Sequence, residues 1–201
     1  PRRLLLTAGG LIAVGAWGLS LLEFNYERVR NFGQTSEVFQ ANAAINQRFS
    51  GTHNLDVYLQ SDTQDLIEPA LVERIERLQE WMRGPGGMQD SLSFVDLVRD
   101  THRATNPDDT QRLPASADEI EQTLFLFEIS AAPGELSQRI SADRREALVR
   151  GFLRTDNFQQ VAPQVEALQA EARRLFAGSG VSAQVTGPVY VTTSWVGPLY
   201  G

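Results

Sequence analysis

The stretch Leu4–Leu22, LLLTAGGLIAVGAWGLSLL, runs without a charge between Arg2-Arg3 and Glu23, and it limits the fold of this chain more than any other feature. As an α-helix rising about 1.5 Å per residue, it would extend roughly 28 Å, close to the hydrocarbon thickness of a bilayer. A signal peptide has a shorter apolar core and an A-x-A cleavage pattern, which is not evident here. A helix buried in a soluble core would carry a polar face, whereas only Thr7, Ser20 and small residues interrupt this run. The stretch therefore reads as a transmembrane helix. Arg2 and Arg3 precede it and no basic residue follows until Arg28, so the positive-inside bias places the N-terminus in the cytoplasm and residues after Leu22 outside.

Charge beyond the span is one-sided. All 25 acidic residues lie after Leu22, against 16 of the 18 basic ones, which are all arginine. Such a surface is a poor match for nucleic acid or anionic headgroups. There is no cysteine, which removes disulfide scaffolds, cysteine nucleophiles and thiolate metal sites. The roughly 180 residues left are enough for one compact unit. The chain opens on Pro1 and stops in the apolar, aromatic run VYVTTSWVGPLYG, so it reads as a piece of something longer.

The order of signals is regular. Thr35 or Ser36 can cap a helix with Val38, Ala41, Ile45 and Phe49 at helical spacing, ended by Gly51. Leu55, Val57 and Leu59 alternate with Asp56, Tyr58 and Gln60 as a strand with one buried face. Pro69 opens a helix with the stripe Leu71, Val72, Ile75, Leu78 and Met82, stopped at Gly84-Pro85. A short strand near Met88–Leu92 and a capping box, Ser93 with Asp96, lead into a helix through Arg103 and close a first β-α-β unit. After the loop 106–114, a second capping box, Ser116 with Glu119, starts a helix with Ile120, Leu124, Phe125, Leu126, Phe127 and Ile129. Apolar on most sides, it should be deeply packed or line an apolar interface.

A second β-α-β unit follows. Ala147, Val149, Gly151 and Leu153 share one face of a strand and Leu148 and Phe152 the other, so both faces should be partly covered. Phe158, Val161, Val165, Leu168, Ala172, Leu175 and Phe176 keep helical spacing. Pro163 places the start of regular helix near Ala162. Val181, Ala183 and Val185 alternate as a last strand. The expected fold class is α+β, a ferredoxin-like split β-α-β domain after one transmembrane helix.

These signals resemble, in order, the first extracytoplasmic loop of RND-superfamily exporters of the hydrophobe/amphiphile, MMPL-like branch. The pieces are the span, AINQRFSGTHNLDVYL with Asn46, Phe49 and Gly51, SLSFVDLVRD, LPASADEIEQTLFLFEIS, ISADRREALVRGFLRT and QVTG. Together they cover nearly the whole chain, and none is a catalytic signature. Members usually contain two such halves, and the segment with Gln122 before an apolar helix looks more like the second. The resemblance implies a porter-type domain outside a bacterial inner membrane, within a multi-pass, proton-driven exporter of apolar or amphiphilic small molecules or lipids. Its partners would be that cargo, the membrane, the remaining spans and a second porter domain, with no nucleic acid. The proton-relay acidic residues of the family lie in later spans, outside this sequence. On this reading, residues 1–30 are the span and its extension, 31–188 the porter-type domain and 189–201 the approach to a second span. Tyr190, Trp195 and Tyr200 would form an interfacial aromatic belt there or a hydrophobic tail. The rival class is the ligand-sensing extracytoplasmic domain of a membrane receptor.

No residue set reads as catalytic, cofactor-binding or metal-binding, so the chain is not expected to be an enzyme. His53 near Asp56, and His102 near Asp96 and Asp100, lack further ligands at metal-binding spacing and read as surface histidines. Asp108, Asp109, Asp118 and Glu119 lack the EF-hand spacing and read as solvated. Ser61-Asp62 and Asp90-Ser91 have no nucleophile-elbow frame, and no glycine run follows a phosphate fingerprint. The most function-like feature left is Leu124, Phe125, Leu126 and Phe127, either a helix face packed on the sheet or an apolar surface toward a substrate path or second domain.

Overall fold

Alternation of apolar residues builds the centre of the molecule. Strand β1 (His53–Ser61) puts Leu55, Val57 and Leu59, each fully buried, on one side. Strand β3 (Glu146–Leu153) pairs antiparallel with it in a register that sets Val57 against Val149 and Leu59 against Ala147. On the other side of β1, β4 (Val181–Thr186) is also antiparallel, with Val57 opposite Val185. The short β2 (Asp90–Leu92) pairs antiparallel with β3, giving a four-stranded sheet of order β2-β3-β1-β4 in an α+β domain. The computed structural model describes residues 10–12, 14–15, 17–18, 32–107 and 113–196.

From residue 32 on, the α-helices that accompany the sheet are α1 (Glu37–Arg48), α2 (Pro69–Arg83), α3 (Phe94–Thr105), α4 (Ala117–Ser130), α5 (Phe158–Phe176) and α6 (Pro188–Val196). Their ends follow local chemistry. Ser36 accepts a hydrogen bond from the Phe39 N–H at 3.2 Å, and Pro69 takes the first turn of α2 where a missing N–H costs nothing. The Ser93/Asp96 capping box is complete, whereas at α4 Ser116 accepts from the Glu119 N–H and Glu119 reaches back to the Ala115 N–H instead of that of Ser116. Helix α5 begins at Phe158, not near Ala162, so Pro163 lies inside it. Asn157 caps that earlier start by accepting from the Gln159 N–H, and Val161, Val165 and Leu168 bury its inward face.

Helices α2 and α5 cover the core side of the sheet, α2 against β2 and β3 and α5 against β4. The second strand is shorter than the expected Met88–Leu92. Met88 is instead a buried filler over Gly151, where an added methyl group would overlap its sulfur. Helix α3 follows β2, and α4 packs on α3.

Most of the stretch 4–22 lies outside the described residues. Those described within it are helical, with Leu11, Ile12, Val14 and Trp17 exposed. Among the described residues no helix is long and apolar enough to cross a membrane. Helix α1 buries none of its residues; its stripe Val38, Ala41, Ile45 and Phe49 faces outward. The side that faces the domain has Phe39, Ala43 and Asn46 half-buried, and Asn46 donates to the Arg154 carbonyl at 3.1 Å and accepts from the Thr52 hydroxyl at 3.2 Å.

Candidate functional site

Helix α4 has two apolar sides with different fates. Ile120 and Leu124 are fully buried, Thr123 is buried, and Phe127 packs partly against the core. Phe125 at 59 %, Leu126 at 42 % and Ile129 at 66 % exposure form a ridge on the opposite side, joined by the i, i+4 step from 125 to 129. The segment 124–127 is thus divided between core and solvent, and Ile129 extends its outer half. Because α4 packs chiefly on α3, one stripe suffices to hold it and the other stays outside.

Polar ties hold this helix in place. Arg144 grips Glu121 with two guanidinium bonds of 3.1 and 3.0 Å, while its backbone adopts φ 59°, an uncommon left-handed conformation for a residue with a side chain. The Leu66 N–H donates to the Arg144 carbonyl at 2.8 Å, which links α4 to the loop before α2. Beside the ridge, Leu126, Gln122 and Glu119 line a groove of about 550 Å³ that reaches His102 and Asn106 on the other wall.

The sheet face away from α2 and α5 carries a second group of polar and aromatic side chains. Asp56, 4 % exposed, receives the Arg150 guanidinium at 3.1 and 3.3 Å and the Asn54 amide at 2.9 Å. Leu148 and Phe152 on this face are half-buried. Desolvation first, then a hydrogen bond with Glu146 and the charges of Glu146 and Asp143, raise the Tyr58 phenol above its usual pKa, so at neutral pH it remains a neutral hydroxyl.

The histidines are not the surface residues expected. His102 is 9 % exposed on α3, its Nδ1 3.3 Å from the Asn106 amide nitrogen. His53 is 13 % exposed, with Nδ1 3.7 Å from the buried Asp156 carboxylate. The carboxylates near them in sequence are engaged elsewhere: Asp56 with Arg150, and Asp96 with Gln79, the Ser93 N–H and Arg99. Folding brings distant residues together, and chain proximity is no guide to pairing. Of the expected acidic loop, Asp108 and Asp109 lie outside the described residues, while Asp118 and Glu119 are exposed in the first turn of α4. Among the described residues no group of three His, Cys, Asp or Glu side chains is placed to hold a metal ion. Tyr190 is half-buried in α6 beside the buried Val189, Trp195 is exposed, and Tyr200 lies outside the described residues.

Sequence reasoning missed a buried polar cluster. Gln79, fully buried, donates to Asp96 Oδ2 at 2.6 Å and accepts from the Ser93 hydroxyl at 2.9 Å, and Asp96 also accepts from Arg99. Burial opposes the charge on Arg99, but the hydrogen bond to Asp96 and the carboxylates of Asp96, Asp100 and Glu76 outweigh it and raise its pKa. The available signal was the position of Gln79, four residues after Ile75 on the apolar side of α2. The cluster ties α2 to the start of α3.

No protein-family model matches the chain, and comparison with curated proteins finds no significant match.

Proposed function

We propose that this chain is the extracytoplasmic porter-type segment of an inner-membrane exporter of the RND superfamily, MMPL-like branch, that moves lipid-like or amphiphilic molecules using proton flow through other spans. The observation that carries the reading is the outer ridge of α4. Phe125, Leu126 and Ile129 lie together in solvent on a helix that has already satisfied its core, which suits an apolar cargo or a second porter domain. The strand order supports the finer fold reading as well. Strands β1 and β2 both run antiparallel to β3 between them, and helices follow β1 and β3, as in a ferredoxin-like split β-α-β domain. The uncharged stretch Leu4–Leu22 would be the membrane helix that precedes it. The segment acts by binding and passing on its cargo, not by making or breaking covalent bonds.

Export of a fluorescent amphiphile from cells carrying the whole protein tests this. Phe125→Glu together with Ile129→Glu should raise intracellular dye to the level of cells lacking the protein, with the variant still at normal abundance in the membrane. Dye levels that do not differ between wild-type and deletion cells would remove the transport reading. A deletion phenotype left untouched by the double variant would remove the role of the ridge.

A further inference from the structure

We infer that the free edge of β4 receives an extended peptide segment as a fifth strand, and that a carboxylate on that segment meets Arg173. The inference rests on the sheet edge and does not depend on the transport reading.

The two edges of the sheet are built differently. Strand β2 is three residues long and includes Asp90, and a short, charged strand discourages pairing with another chain. Strand β4 is twice as long, reads VSAQVT, and contains neither a charge nor a proline. Among the described residues its only strand partner is β1, so its outer N–H and C=O groups have no ladder on that side. An unprotected edge of this kind is a template for strand addition, in which main-chain hydrogen bonds supply affinity and flanking side chains supply selectivity.

The flanking groove exists. About 590 Å³ of open space runs along β4, lined by residues of the strand itself, including Gln184, Val185 and Thr186, by Tyr58 across the sheet, by Arg173 of α5 and by Tyr190 of α6. Two tyrosines provide flat apolar walls with hydroxyl ends for side chains that alternate along an added strand. Charge selects the occupant. In a chain of net charge −7, Arg173 is the one ionised group among the described residues lining this groove, and the nearby Glu146 carboxylate is taken up by the Tyr58 hydroxyl. The complementary segment is therefore extended, small or apolar at the positions between the tyrosines, and acidic opposite Arg173. A second copy of the same strand supplies no carboxylate.

Photocrosslinking in the intact protein tests this. A benzoylphenylalanine placed at Ser182 or Gln184, both exposed, is irradiated in cells producing the protein, and the attached peptide is identified by mass spectrometry. The expected product joins β4 to an extended segment containing Asp, Glu or a C-terminal carboxylate. Arg173→Glu should reduce its yield by about tenfold, from loss and reversal of one close charge contact, while Arg173→Lys keeps most of it. Crosslinks to β4 of another copy, to lipid alone or to nothing overturn the proposal, as does a product whose yield ignores Arg173→Glu. Circular dichroism of each variant confirms that the fold is retained.

Discussion

Gly51 joins α1 to β1 at φ 117°, and a methyl group there would run into the carbonyl of Leu153. The backbone conformation and the contact both exclude a side chain, because the obstacle is main chain that cannot rotate away. Gly51→Ala should cost about 2–4 kcal/mol, read as a lower denaturation midpoint at constant slope. A midpoint within error of wild type would show that this junction relaxes freely. Gln79 makes a different demand. Gln79→Leu keeps the approximate volume but removes a donor from buried Asp96 and an acceptor from buried Ser93, and should cost about 2 kcal/mol or more. If stability were unchanged, the two groups would have found other partners, and the cluster would not be what joins α2 to α3.

Helix α5 is the main cover of the sheet on the β4 side, and Leu168 is fully buried in it. Leu168→Asp replaces apolar contact by a carboxylate without a partner, a loss on the order of 3 kcal/mol or more. The melting temperature of the purified protein should fall by many degrees; an unchanged melt would place that face in solvent. Helix α4 predicts the opposite. Leu126→Gln, on its outer side, should leave the melt within about 0.5 kcal/mol of wild type, since it removes no core contact. A large loss there would mean that something covers the ridge. Helices α1 and α4 both carry apolar residues at helical spacing, yet α1 turns its stripe away from the domain and α4 buries only one of two. Periodicity identifies an apolar face and says nothing about what lies opposite.

Taken as one molecule, the chain has an acidic α+β domain whose helix α1 is tied on through Asn46 and presents apolar residues outward. If Leu4–Leu22 spans the membrane as proposed, alkaline phosphatase fused after Arg30 and after Gly180 should be active in both cases. Inactivity at either site would place the domain on the cytoplasmic side and remove the topology on which the transport proposal stands.

Local rules were readable in residue order. Ser36, Ser93, Ser116 and Pro69 mark helix starts because capping involves atoms only a few residues apart, and the alternation of β1, β3 and β4 names their buried sides because a strand repeats every two residues. Other features depend on residues far apart in the chain. The capture of Asp56 by Arg150, 94 positions away, the Gln79 cluster, the division of Leu124–Phe127 between core and solvent, and the placement of β4 at an open edge all arise when separate elements dock. Capping and alternation are set by bonds within one turn or one strand, whereas exposure and pairing are set by which other element arrives, and that partner is not written beside the residue it meets.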